Sequence, residues 1–205
     1  MEALPNILSR HPNTVYLILG QTHPNVLRKH GDSYRKKLES RIHELGLENN
    51  VRFVNSFFSE NGLSQYLAAS DIYLAPYLNP YQTSSGCLVY ALAHGMAVVS
   101  TPYPHSQYEI GDSNGIIVPS HNSPEITKAV NSLIGKPAHL MNLQKNTIER
   151  MNSRRWPYVA AQYIELFKLV LDDKLHKESP RIRENGYSKS IEDNTITHSF
   201  PKLAQ

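Results

Sequence analysis

Apolar residues along the chain fall into short continuous runs separated by longer amphipathic stretches. Five runs read as strands: 14–19 (TVYLIL), 51–54 (VRFV), 72–75 (IYLA), 97–100 (AVVS) and 115–118 (GIIV). Each is apolar at consecutive positions rather than alternate ones. That pattern suits strands covered on both faces, as in a parallel sheet. The stretches between them carry helical spacing. Residues 33–45 place Tyr34, Leu38, Ile42 and Leu45 on one face and stop at Gly46. Residues 63–69 predict a short helix, and 85–94 predict another that ends at Gly95. Ser123 is positioned to cap a helix that has Pro124 at its first position and a stripe of Ile126, Ala129, Val130, Leu133 and Ile134. A further helix covers 138–150. The last starts at Trp156–Pro157 and uses Val159, Ala160, Tyr163, Phe167 and Val170.

Strand–helix–strand alternation predicts a Rossmann-like α/β layer, a parallel sheet flanked by helices. Such sheets bind ligands at the carboxyl ends of their strands. The loops after Leu19, Ala75 and Ser100 are therefore the places to look for a site. The pattern covers residues 1–172. Residues 173–205 are rich in charge, Ser, Asn and Pro with scattered hydrophobes, and are expected to form a disordered tail. A partner-docking tail is the less common alternative.

Composition narrows the class without naming a function. The chain has 205 residues, enough for one domain with an appendage, and 40% are hydrophobic. No apolar run approaches the roughly 18 residues of a membrane span. The N-terminal residues lack the pattern of a signal peptide. One cysteine, Cys87, excludes an internal disulfide framework and a cysteine zinc cluster. These features together point to the cytoplasm. A net charge of +3 gives no argument for nucleic acid. Ten histidines raise the question of metal, but none form HxH or HxxxH spacing, and no metal site is assigned.

The most informative loop follows strand 72–75. It leads through Gln82, Thr83, Ser84, Ser85, Gly86 and Cys87 into a helix. Free N–H groups at a helix start favour anions, and small side chains allow a phosphate to approach. Ser84 and Ser85 add hydroxyls. Plain capping by either serine explains the same pattern equally well. After strand 97–100, His105 and Glu109 stand four apart and read best as a surface pair. In the loop after Leu19, Gly20 permits a tight exit from the strand. His23 there reads better as a turn residue than as a ligand contact. Cys87 reads as a small buried hydrophobe, and Arg154-Arg155-Trp156 as surface charge beside a buried Trp.

Four segments in order resemble the carboxyl-terminal, donor-binding domain of GT-B glycosyltransferases in the "glycosyl transferases group 1" family. They are LGLENNVRFVNSF, LSQYLAASDIYLAPY, SSGCLVYALAHGMAVVSTP and NGIIVPSHNSPEITKAVNSLI. The closing segment RRWPYVAAQYIELF resembles the family's final helix. The resemblance implies one half of a GT-B fold and a nucleotide sugar as substrate, with no separate cofactor. It implies transfer of the sugar to an acceptor, with retention, and a partner acceptor-binding domain or subunit. The family's two donor-contacting glutamates fall at Gln82 and Tyr90, eight positions apart, and a third at Gln107. Ser84, Ser85, Gly86 and Cys87 occupy the phosphate turn. A branch of the family with glutamine, a TSG-type turn and tyrosine at these places resembles the chain more closely. Gln82 can hydrogen-bond a sugar hydroxyl but brings no charge, and Tyr90 has one hydroxyl where a carboxylate grips two.

The family's first strand, an Arg and a Lys would lie upstream of residue 1, leaving strand 14–19 without a neighbour on one side. A longer or split protein, a second chain that fills the gap, and a gene remnant all remain open. So do three functions: a transferase donor domain, a non-catalytic nucleotide-sugar module, and an unrelated Rossmann-like domain. The last lacks the expected GxGxxG turn, since Gly20 is followed by Gln-Thr-His. No catalytic residue is assigned.

Overall fold

The structure is a computed structural model and describes residues 1–178. The chain divides into two compact units, the first Met1–Val159 and the second beginning at Ala160. Five strands of the first unit are β1 (Tyr16–Leu19), β2 (Val51–Val54), β3 (Ile72–Ala75), β4 (Ala97–Ser100) and β5 (Gly115–Ile117). All pair in parallel, as the continuous apolar runs require. They form two sheets, β1-β2 and β3-β4-β5. Tyr16 faces Val51 in the first, Ile72 faces Ala97 and Val98 faces Gly115 in the second. Among the described residues no ladder joins β1 to β3.

Helices α1 (Leu4–Leu8), α2 (Pro24–His30), α3 (Ser33–Glu44), α4 (Glu60–Ala68), α5 (Gly86–Ala93), α6 (Pro104–Glu109), α7 (Ser123–Ile134) and α8 (Pro137–Asn152) lie between and after the strands. Strand β4 is the centre of its sheet and is buried at every position. Alternation along it sends side chains to opposite layers. Ala97 and Val99 join the larger core with Ile7, Leu133 and Leu143 from α1, α7 and α8. Val98 joins Leu88 and Leu92 of α5, Tyr103 and Ile110 on the other side. The sheet thus pins α5, and the loop ahead of it, from below.

The elements follow the hydrophobic pattern, with local differences. Strand β1 begins at Tyr16 rather than residue 14, and β5 stops at Ile117. Helix α2 was not expected in the loop after Gly20. It forms because Pro24 sits at its first turn and Gly31, at φ +59°, ends it. Helix α7 is capped by Asn122, whose side chain accepts the Glu125 N–H, and Ser123 is already helical. Helix α4 starts earlier than residue 63 because Ser59 Oγ accepts the Gly62 N–H at 3.2 Å.

The last helix, α9 (Trp156–Glu178), begins in the first unit and continues in the second. It passes the expected boundary at 172 because no Gly or Pro interrupts the sequence between Pro157 and Pro180. The rest of the expected tail lies outside the described residues. Taken by itself, the described part of the second unit, residues 160–178, is one helix. Tyr163, Phe167 and Val170 are exposed on it. No helix among the described residues is long and apolar enough to cross a membrane.

Two substitutions test this packing by urea unfolding. A Cβ added at Gly115 would lie 2.5 Å from the Val98 carbonyl oxygen and 2.8 Å from Ile110 Cγ2. Gly115→Ala is expected to cost about 1–3 kcal/mol, since backbone cannot yield cheaply. Leu133→Ala, at a fully buried position, should cost about 2–5 kcal/mol.

Candidate functional site

The carboxyl ends of β3 and β4 carry the loops that meet at the start of α5. Buried hydroxyls tie those loops together. Thr101 Oγ1 donates to the Tyr77 carbonyl at 2.6 Å, and Ser106 Oγ to the Thr101 carbonyl at 2.9 Å. Asn79 Oδ1 accepts the Tyr81 N–H at 3.0 Å, which folds the loop into a local turn. The Tyr77 and Tyr103 rings meet edge-to-face at 5.3 Å beneath it.

Ser85 is the cap of α5. Its backbone is extended, and its Oγ accepts the Leu88 N–H at 3.2 Å. Its own N–H donates to His105 Nδ1 at 2.8 Å. That bond places the proton of the neutral ring on Nε2, 3.6 Å from Glu109 Oε1. Glu109 is almost wholly buried, and both of its oxygens accept from Arg154 Nη1 at 2.5 Å. Arg154 also lies over the Tyr108 ring, 5.6 Å from its centroid.

Two donors remain at the helix start. The N–H groups of Gly86 and Cys87 have no acceptor among the described residues. They precede the first residue whose N–H finds a partner within the turn, as the geometry of a helix N-terminus dictates. A Cβ built on Gly86 meets nothing within 4 Å, and Gly86 and Cys87 are both exposed. The site offers an anion two aligned N–H groups and the positive end of a helix dipole.

The structure places the other expected residues as follows. Thr83 and Ser84 are exposed in the same turn. Gln82 Nε2 donates to the Ser84 carbonyl at 3.1 Å, so its amide braces the turn. Tyr90 stands one turn along α5, and its hydroxyl donates to Glu60 Oε1 of α4 at 3.4 Å. Gln107 is exposed on α6, and no side-chain hydrogen bond joins it to the turn. Gly20 lies at the end of β1, in the other sheet. At φ +113° it suits only glycine, its N–H bonds the Val54 carbonyl, and its carbonyl accepts from Arg35. Its peptide is committed to the fold, and no hydrogen bond brings it to the turn.

Four expectations are corrected. His105 and Glu109 are not a surface pair: Pro104 starts α6 so that both turn inward, where Arg154 neutralises the carboxylate. Arg154 is accordingly a structural partner rather than free surface charge. Cys87 is exposed, because it occupies the open side of the first turn of α5 while Leu88 faces the core. Trp156 is 82% exposed at the start of α9 rather than buried. Only one of the two capping readings survives, with Ser85 as the cap. His23 is a cap too, its Nδ1 accepting the Asn25 N–H at 3.2 Å. Glu60, Arg154 and the role of His105 were not found from sequence. Their partners are 30, 45 and 20 residues away, and no local pattern encodes them. No group of three metal-ligating side chains occurs among the described residues.

The sequence profile of the family described as "Glycosyl transferases group 1" matches residues 1–136, well over half of the chain. The chain belongs to that family. Solved structures agree on the fold. Sucrose-phosphate synthase from Thermosynechococcus elongatus superposes with a TM-score of 0.68 at 23% identity, covering 84% of this chain and 42% of that one. Anabaena Alr3699/HepE, solved with UDP and glucose, gives 0.66 at 22% identity, covering 82% and 44%. The C-terminal domain of a group 1 family protein, LpcC, from Francisella tularensis gives 0.64 at 21%, covering 74% and 75%. The chain thus spans about two-fifths of the length of the first and second of these, and three-quarters of the third, itself an isolated C-terminal domain. No curated protein matches it. The α/β architecture, parallel strands flanked by helices, is that of one half of a GT-B fold.

Tyr103 offers a test of the floor under this site. It is 1% exposed, and its hydroxyl has no hydrogen-bond partner among the described residues. Burial raises its phenol pKa, with the nearby Ser85 and Ser100 hydroxyls pulling the other way. Tyr73 is raised too, chiefly by burial. Unfolded phenols therefore release protons first, and stability present below pH ~10 declines above it. Tyr103→Phe is expected to leave stability at pH 7 within about 1 kcal/mol or raise it, because no bond is lost. It should also weaken the decline between pH 10 and 11, measured by urea midpoints.

Proposed function

We propose that this chain is the donor-binding domain of a retaining glycosyltransferase that takes a nucleotide sugar. The observation that carries the reading is the pair of free N–H groups at Gly86 and Cys87, both exposed residues at the start of a helix whose cap is fixed. The diphosphate of the donor sits there, and the two N–H groups and the helix dipole take up charge that grows on it as the sugar leaves. Ser84 and Thr83 add hydroxyl donors at the rim. Gln82 faces the sugar as a neutral hydrogen-bonding group, in place of the family's first glutamate. Tyr90 stands where the second falls, and Glu60 beside it supplies a carboxylate on the ribose side. Gln107 and Gly20 are further donor contacts in this reading. In this reading the nucleotide sugar is a substrate, no cofactor or metal is used, and the domain works in the cytoplasm. The acceptor is bound by a separate domain or subunit. That Anabaena HepE was solved with UDP-glucose supports the donor class.

One observation favours a second reading, a module that binds a nucleotide sugar without transferring it. Gln82 holds its own turn and Tyr90 is bonded to Glu60, so neither side chain is poised in isolation for the sugar or the ribose.

Calorimetric titration with UDP, GDP and ADP tests the site. The native chain is expected to bind one of them. Gly86→Val puts a branched side chain at the helix start, and should weaken that binding about tenfold or more, about 1.4 kcal/mol. Its melting temperature should stay within about 2 °C, since a Cβ there meets nothing. Normal binding by the variant would remove the phosphate turn from the reading.

A further inference from the structure

We infer that His105 is a positioning residue of the donor site, acting through the N–H of Ser85 on the N–H groups of Gly86 and Cys87. The inference rests on the donor-site reading above and extends it to a side chain that touches no ligand.

The first link is the bond itself. Ser85 N–H donates to His105 Nδ1 at 2.8 Å, across 20 residues of sequence. This bond holds Ser85 extended, at φ −145° and ψ 104°, and the next residue enters the helix. A cap must leave its own N–H somewhere. With Ser85 N–H committed to the imidazole and Ser85 Oγ to Leu88 N–H, the first two helical N–H groups are the ones left for a ligand. The ring therefore selects which donors face outward.

The second link is what holds the ring. Its Nε2 faces Glu109 Oε1 at 3.6 Å, and the carboxylate side chain is only 5% exposed. Glu109 is fixed in turn by Arg154, which bonds both of its oxygens. A buried carboxylate beside Nε2 favours the tautomer with its proton there, which leaves Nδ1 as an acceptor. The same logic orients metal-bound histidines, here applied to a peptide N–H. The network runs from the turn after α8, through α6, to the start of α5. A role in stability alone would need none of this specificity, because one hydrogen bond at a partly buried cap contributes little.

Three measurements on the full chain test the inference. The first is the imidazole nitrogen spectrum of labelled protein at neutral pH. It is expected to give His105 the Nε2–H tautomer, and a proton on Nδ1 would overturn the inference whatever the binding results. The second compares His105→Phe with His105→Asn in titrations with UDP, GDP and ADP. Phe keeps an aromatic ring and removes the acceptor, and should weaken nucleotide binding about tenfold. Asn returns an acceptor oxygen near Nδ1 and should recover most of that loss. The third is the melting temperature of each variant, which separates a loosened turn from an unfolded chain. Undiminished binding by a folded His105→Phe, or equal losses in both variants, would overturn the inference. Absence of binding by the native chain with the expected tautomer present would instead overturn the donor-site reading.

Discussion

The site depends on how Ser85 is held. A helix start that binds an anion must satisfy two opposed demands. Its cap must be rigid, yet its first N–H groups must be left without partners. Ser85 meets both by bonding in two directions, its N–H to His105 and its Oγ from Leu88 N–H. The helix behind it is fixed by burial rather than by polar contacts. Leu88, Ala91 and Leu92 are at most 1% exposed, and Leu88 and Leu92 pack on Val98 of the fully buried strand β4. Core packing of this kind is stiff enough to hold one turn in place. The free donors at Gly86 and Cys87 are then a consequence of where the sheet and the cap put the chain.

The Glu109–Arg154 pair has a different character from the exposed ion pairs elsewhere. Arg41 with Glu2 and Glu44 lies on the surface, where such pairs contribute little. Glu109 is buried, and burying its charge costs about as much as Arg154 returns. The value of the pair is therefore geometric. It fixes a carboxylate beside His105, and through the ring it fixes the turn. Stability alone does not require an ion pair there, since apolar residues of similar size in place of both partners would serve as well. The position makes sense when the object held in register is a binding site.

Much of the fold could be read from the sequence. The continuous apolar runs located all five strands and their parallel class, because strands covered on both faces leave no polar alternation. Helices α3 and α7 followed from their apolar stripes, and α5 from its Gly boundary. The capped turn ahead of α5 was also visible, since small residues ahead of an apolar helix are a local signal. What could not be read was long-range. His105 and Glu109 four apart look like any surface pair until Arg154, 45 residues later, closes on them. Cys87 looked buried by residue type, yet its side of α5 faces outward. Trp156 misled in the same way. Helix α2 was missed although its signals, Pro24 and Gly31, were present, because a seven-residue helix has too few positions to show a stripe. Composition and spacing gave the class of most elements, while contacts decided which residues face the turn ahead of α5.

In the proposed function, the N–H groups of Gly86 and Cys87 receive the diphosphate of a nucleotide. The most direct measurement follows the amide resonances of nitrogen-labelled protein during titration with UDP, GDP and ADP. One nucleotide is expected to shift the Gly86 and Cys87 amides most strongly, with smaller shifts at Ser84 and Tyr90. Saturable binding that leaves those two amides unmoved, with the largest shifts elsewhere in the domain, would contradict it.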